Sequence, residues 1–170
     1  MPVTVRRAVL EDARRIAELA VKLVAQHRNY SPQRFAQVYD EQQAEWFYGR
    51  QTKAEDAAVL VAELEEKIVG FAYVQYEARN YAELLENAAW LHDIYIDEAA
   101  RGQNAGKLLI ESAIEIAKEL GADKLMLSVA AKNEFAGEFF ERSGFKTTMV
   151  EMMLDLLPAQ LKDADEDLIF

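Results

Sequence analysis

The sequence predicts an α/β fold, a mixed β-sheet flanked by helices, and three observations carry that prediction. An apolar run at 89–97 enters a turn-rich, basic-tinged loop, the loop opens a long amphipathic helix, and an alternating run follows at 125–129. Strand, helix and strand in that order are the signature of a parallel pair. Two β-rich runs, 57–64 and 67–77, meet through Glu65 and Glu66 as a hairpin, which adds antiparallel pairing. A composition of 51% hydrophobic and 29% charged residues over 170 positions is globular and long enough for one domain with a sizeable core.

Residues 2–7 read as the first strand. From 10 to about 28, Ala13, Ile16, Ala17, Ala20, Leu23 and Val24 recur at helical spacing, with Glu11 and Asp12 in the first turn where the helix dipole favours them. Ser31 and Pro32 read as the cap and first position of a second helix running towards Gly49, rich in aromatic residues: Phe35, Tyr39, Trp46, Phe47 and Tyr48. After the hairpin, 79–87 is polar and weakly helical, a mobile loop, and 89–97 is the next strand. Ala105, Leu108, Leu109, Ser112, Ala113, Ile116, Ala117 and Leu120 form one helical face, which Gly121 ends as a C-cap. Leu125, Leu127 and Val129 alternate, Asn133 caps a short helix finishing at Gly144, and 145–157 is a final β stretch. The predicted order is β-α-α-β-β-β-α-β-α-β in one domain over 1–157, with an acidic tail at 158–170.

Composition removes several functions. Cysteine is absent, so disulfides, thiolate metal sites and a cysteine nucleophile are excluded. His27 and His92 are the only histidines, which argues against a His-rich metal centre, and no metal is expected. A net charge of −11 argues against nucleic-acid binding and suits a cationic small substrate. No apolar run approaches the length of a membrane span and the first residues lack a signal-peptide core, so a soluble cytoplasmic protein is the expectation, with no membrane partner.

The loop between the 89–97 strand and the long helix aims free backbone N–H groups and a helix N-terminus at one point, which is an anion site. Its residues, Arg101-Gly102-Gln103-Asn104-Ala105-Gly106, resemble the pyrophosphate loop of the acetyl-CoA-dependent N-acetyltransferase (GNAT) superfamily. That pattern is Arg or Gln, two residues, Gly, one residue, then Gly or Ala. Arg101 and Gly106 match it, while Asn104 stands where the first Gly is usual. Asparagine is among the residues that most readily take left-handed conformations, so the exchange is physically tolerable. A second segment, from Asn133 through Ala136, Phe139 and Phe140 to Gly144-Phe145, is similar to the superfamily's later motif, with Phe140 in place of its Tyr.

The resemblance implies a sheet splayed where its parallel strands diverge, and transfer of acetyl from acetyl-CoA to a primary amine by direct attack in a ternary complex. The acceptor would be a small cationic amine or a peptide Lys or N-terminus. The backbone of Ile94, Tyr95 and Ile96 would pair with the pantetheine arm of the cofactor. Residues Arg101, Gly102, Gln103, Asn104, Ala105, Gly106 and Lys107 would cradle its pyrophosphate, Arg101 and Lys107 adding charge. Asn133 would hydrogen-bond the arm and Phe140 would pack on it. In many members the late Tyr protonates the departing thiolate, which Phe140 cannot do, although a thiol pKa near 8.5 leaves modest help to water. A homodimer is also compatible with the resemblance, without a separate signal in the sequence.

The base that takes the ammonium proton is sought on the strand lining the site, at His92 or Asp93, an unperturbed imidazole of pKa near 6.5 being suited to the task. Strict alternation places His92 with Trp90, Ile94 and Ile96, and Asp93 with Leu91 and Tyr95, a phase that a bulge would change. Tyr39, Trp46, Phe47 and Tyr48 are candidates for the acceptor pocket wall, or simply pack the second helix on the sheet. Glu77, Glu83 and Glu86 are weaker candidates for substrate contacts. Two other readings stay open. Phe140 admits a CoA-binding sensor or regulatory protein with little catalysis. A dinucleotide-binding domain is disfavoured, since no GxGxxG follows the first strand.

Overall fold

The computed structural model describes residues 2–157, so the tail at 158–170 lies outside the described residues. Five strands, β1 (Thr4–Arg7), β2 (Ala57–Leu64), β3 (Lys67–Asn80), β4 (Leu85–Ile96) and β5 (Lys124–Leu127), lie in sequence order in one sheet. The first four are antiparallel and β4 pairs with β5 in parallel. The connection from β4 to β5 runs through helix α3 (Ala105–Glu119), the crossover that parallel neighbours require. Helices α1 (Ala13–Tyr30) and α2 (Glu41–Gln51) fill the stretch between β1 and β2, and α4 (Glu134–Arg142) follows β5.

Each face of the sheet is covered. On one, Leu109, Ile110 and Ala113 of α3 pack against Ala58, Leu60, Ala72 and Leu91. On the other, Ile16, Leu19 and Ala20 of α1 and Tyr48 of α2 pack against Val59, Val61, Phe71 and Tyr73. Burial on both sides explains why β2 reads as a nearly unbroken apolar run, Ala57 to Ala62, where a half-exposed strand would alternate. No helix among the described residues is long and apolar enough to cross a membrane.

Three elements differ from the sequence reading. The second helix begins at Glu41, with the Asp40 carboxylate accepting from the Gln43 N–H at 3.0 Å. Ser31 and Pro32 open only an isolated turn, since the better cap and an acidic first turn lie nine residues on. Residues 79–87 are no loop of weak helix: the β3–β4 ladder continues to Asn80↔Leu85, helped by the Arg79–Glu86 pair at 2.6 Å, and turns only at 81–84. Polar side chains there mark strands projecting past the helices that cover the rest of the sheet. The final β stretch at 145–157 forms neither ladder nor helix. Its β propensity is real, but a strand needs an edge to pair with, and none is taken among the described residues.

Gly70 carries the closest approach in the sheet. It pairs with Ile96 in the β3–β4 ladder, and a Cβ there would sit 2.8 Å from the Tyr95 carbonyl oxygen and 2.7 Å from Ile96 Cδ1. The Ile96 side chain can move aside, while the carbonyl belongs to the strand itself. We therefore expect Gly70→Ala to destabilise the protein by about 1–3 kcal/mol, read as a lower urea midpoint at unchanged slope. An unaltered midpoint would show that β4 is free to shift at this position.

Candidate functional site

The site is organised by one irregularity in β4. Pairing with β3 runs Tyr73↔Asp93 and then Val74↔Leu91, so His92 is the extra residue of a β-bulge. The bulge corrects the alternation expected from the sequence. Leu91, Ile94 and Ile96 face α3, whereas Asp93 and Tyr95 face α1 and α2. Asp93 thereby parts from Leu91, and His92, stacked with both Trp90 and Tyr73, stands beside Asp93 on the α1–α2 face.

At the same place the sheet opens. The parallel ladder ends at Leu91↔Leu127, and from His92 onward β4 has no partner on its β5 side among the described residues. Ile94, Tyr95 and Ile96 still pair with β3 through Ala72, Phe71 and Gly70. The alternation that sends the Asp97 N–H to Val69 turns the backbone groups of Tyr95 towards β3 and those of Ile94 and Ile96 towards the gap where β4 and β5 diverge, where the Ile96 carbonyl accepts from Arg101 Nε at 3.4 Å.

Asp93 lies among the aromatic side chains of Tyr48, Tyr73 and His92. The Tyr48 hydroxyl donates to Asp93 Oδ2 at 3.0 Å. Burial pushes the Asp93 carboxyl above the ordinary carboxylate range, and the Tyr48 hydrogen bond and the nearby His92 and His27 rings pull it back only in part. Burial and the Asp93 charge raise the Tyr48 phenol strongly, and Tyr39, whose hydroxyl meets that of Tyr48, is raised by its own burial. The Tyr73 phenol is pushed up to about 12, mainly by burial, and donates to Gln75 Oε1 at 3.1 Å. All three phenols therefore stay protonated across the physiological range. The exposed His92 ring stacks on Tyr73 at 5.5 Å and on Trp90 at 6.1 Å between centroids. Trp90 Nε1 is buried with no hydrogen-bond partner among the described residues, a donor left to be satisfied.

The aromatic residues of α2 divide between these two surroundings. Tyr48 is buried on Asp93, and Phe47 sets its ring edge-on to Tyr73 at 5.4 Å. Trp46 is 63% exposed and stacks under Arg50. Glu77, Glu83 and Glu86 belong to the end of the β3–β4 hairpin, where Glu77 accepts from Asn80, the Glu83 N–H donates to the Asn80 side chain and Glu86 pairs with Arg79.

Beyond the gap, the 101–107 loop has the shape of an anion nest. Gly102 and Asn104 take left-handed conformations, φ +78° and +70°, so Asn104 adopts the backbone for which glycine is usual. None of the N–H groups of residues 102–107 donates to a protein acceptor among the described residues, and three of them open α3, whose first turn carries no acidic residue. Arg101, Gly102, Gln103 and Asn104 are exposed, Ala105 is buried, and Gly106 lies against the Phe139 ring. Arg101 packs over Tyr95, and Lys107 reaches only a loose partner, Glu111 at 3.8 Å. The Asn133 side chain caps α4 by accepting from the Ala136 N–H at 3.2 Å. Phe140 is only 8% exposed, packed against Phe139 and Phe145, and Phe139 is the ring nearer the loop.

Tyr39, Tyr73, Gln75, Phe139 and His27 complete the surroundings. Tyr73 and Gln75 were not legible as site residues, because the register that sets them beside Asp93 and Trp90 depends on the bulge. No group of three or more His, Cys, Asp or Glu side chains placed to hold a metal occurs among the described residues. A surface groove of about 470 Å³ lies elsewhere, and its lining residues Arg6, Asp12 and Glu63 are already engaged in ion pairs with one another.

Comparison with known proteins agrees with this geometry. An acetyltransferase (GNAT) family model matches residues 19–145. The uncharacterized N-acetyltransferase MJ1207 of Methanocaldococcus jannaschii is 34% identical over 103 residues, 61% of this chain and 45% of its own length. The putative phosphinothricin acetyltransferase YwnH of Bacillus subtilis is 35% identical over 108 residues, 64% of this chain and 63% of its own. The matched stretch thus spans about half to under two thirds of these curated relatives. Among solved structures, a mutant of the BH1408 protein of Bacillus halodurans superposes with a TM-score of 0.79 at 23% identity, covering 91% of this chain and 99% of that one.

The Tyr48–Asp93 contact makes one prediction about titration. Tyr48 stabilises the ionised carboxylate, so Tyr48→Phe should raise the Asp93 pKa further, as read by NMR titration of the carboxyl carbon. A pKa that stays in place, or falls, would mean that the phenol does not support the charge.

Proposed function

This chain belongs to the acetyltransferase (GNAT) family, and from that premise we propose that it moves the acetyl group of acetyl-CoA to a primary amine by direct attack in a ternary complex. The observation that carries the reading is the raised, half-buried Asp93 carboxylate at the bulge where β4 leaves β5. A partly buried carboxylate among aromatic rings attracts an ammonium. Asp93 and His92 are the residues assigned to removing its proton, since a base must first free the nitrogen lone pair. A small cationic amine or a peptide Lys or N-terminus fits these requirements.

Acetyl-CoA brings the acetyl group as an activated thioester. The residues that would hold it are those of the splay and the nest. The outward backbone groups of Ile94 and Ile96, on either side of Tyr95, suit an extended amide-bearing arm added as a strand that would take the Ile96 carbonyl over from Arg101, and the 102–107 N–H groups with Arg101 and Lys107 suit a pyrophosphate. Asn133 has its amide N–H groups to offer while its oxygen caps α4. Phe140 carries no proton, so the departing thiolate takes its proton from water or from a hydroxyl of the site. That same residue favours the second reading, a CoA-binding sensor with little turnover.

Calorimetric titration with acetyl-CoA, beside 3′-dephospho-CoA and NAD, tests the cofactor. Saturable acetyl-CoA binding is expected, weakened about tenfold by Lys107→Glu. No binding of acetyl-CoA or free CoA would overturn the reading, and binding without turnover of any amine would select the sensor.

Asp93→Asn tests the base. We expect kcat/KM with a reactive amine to fall about 10²–10⁴-fold. In the unsubstituted enzyme the ionised carboxylate is the active form and its pKa is raised, so the acid limb of kcat/KM lies above the ordinary carboxylate range, and Tyr48→Phe moves it to higher pH. The sign for stability is opposite. A folded-state pKa above the unfolded one favours folding at low pH, and that contribution is lost as pH rises through the folded pKa, so Asp93→Asn should not lower Tm at neutral pH.

A further inference from the structure

We propose that Gln75 determines which amines are accepted, its carboxamide N–H groups donating to a neutral oxygen that the acceptor carries a few bonds from its reacting nitrogen. The inference rests on the reading of Asp93 as the amine site and adds the substrate class to it. Amino ethers, amino alcohols and amino-acid amides would be taken ahead of plain alkylamines.

Register brings the two groups onto one surface. In the β3–β4 ladder Tyr73 opposes Asp93 and Gln75 opposes Trp90, with His92 bulged between them. Tyr73 belongs to the core beneath α1 and α2, and Val74 to the core beneath α3, so alternation returns Gln75 to the Tyr73 side. Two residues of strand span about 7 Å, which one small molecule bridges.

The direction of the carboxamide is fixed by its neighbour. The Tyr73 hydroxyl donates to Gln75 Oε1 at 3.1 Å. The Tyr73 ring is itself held, edge-on by Phe47 and Tyr48 and stacked by His92. Burial keeps that phenol protonated, so it retains a hydrogen to give and the oxygen end of Gln75 stays engaged. The nitrogen end turns away from Tyr73 and has no protein acceptor among the described residues. Trp90 Nε1 is the only buried side-chain polar atom without a partner among those residues, so the half-buried Gln75 keeps its nitrogen open to solvent.

Asp93 takes a cation and Gln75 gives a hydrogen, and together they select a molecule with an ammonium at one point and an oxygen at another. Gln75 is neutral and Glu77, two residues on along the same strand, is anionic, which favours a neutral oxygen over a carboxylate. An amine lacking that oxygen displaces water from the carboxamide N–H groups and leaves them unpaired, and the discrimination arises there.

The test uses 2-methoxyethylamine and n-butylamine, which differ by an oxygen in place of one methylene. Their kcat/KM values are compared in the unsubstituted protein, in Gln75→Met and in Gln75→Glu. The ratio of ether to alkylamine should fall about fivefold in each variant, the worth of one neutral hydrogen bond. A ratio cancels the different basicities of the amines and any loss common to both. A second readout needs no turnover. In nitrogen-labelled protein the Gln75 side-chain N–H signals, identified by their loss in Gln75→Met, should move with the ether at millimolar concentration and stay in place with the alkylamine. A ratio unchanged in both variants would mean that Gln75 only braces Tyr73, and would overturn the inference. So would N–H signals that answer both amines equally or neither. Turnover of neither amine, with the selective shift present, would support Gln75 and count against the transferase reading instead.

Discussion

The end of the β4–β5 ladder at Leu91 and Leu127 is the constraint on which the rest of the structure depends. One residue later β4 bulges at His92, and the two irregularities act together. The bulge turns Asp93 towards the α1–α2 face, where burial lifts its pKa, and the lost pairing leaves the outward backbone of Ile94 and Ile96 without a strand partner on that side. A continuous ladder would give neither a desolvated carboxylate on this face nor an open strand edge. Pairing is maintained on the β3 side throughout, so the strand is held rigidly while it is open on the other.

Two electrostatic environments flank this opening. On the α1–α2 side, a single carboxylate sits among phenols that remain protonated, a setting that favours a cation. On the other, the start of α3 presents unpaired N–H groups and a dipole end with no acidic residue in its first turn, a setting that favours an anion. Lys107, in a first turn where a cation opposes the dipole, has only a distant partner in Glu111, which is what a residue awaiting an anion looks like. Charges of opposite sign are thus sorted to opposite sides of one gap, and the reacting centre proposed above lies between them.

Much of this was legible from local pattern. The 3.6-residue period of α1 and α3, the tolerance of Asn104 for a left-handed backbone and the Asn133 cap are properties of short stretches, and the structure shows each of them. The two misplaced boundaries were local competitions decided the other way. Asp40 offers a better cap than Ser31, and the ladder past Glu77 draws on cross-strand pairs that a reading along the chain does not contain. The 145–157 stretch shows the same limit more sharply, because strand propensity without a neighbouring edge yields no strand.

Sequence by itself determined the α/β class, the order of the first nine elements, the left-handed turn that opens α3 and the absence of cysteine. Those follow from composition, periodicity and turn chemistry, which act over a few residues. Only the tertiary structure decided that His92 and Asp93 share a face, that Tyr48 and Tyr73 are their neighbours, that Phe139 and not Phe140 approaches the loop, and that the last described segment joins no ladder among the described residues. Each of these depends on register between strands distant in the chain. A one-residue bulge reverses which face a side chain occupies, and nothing in the local sequence around His92 records where β3 requires it.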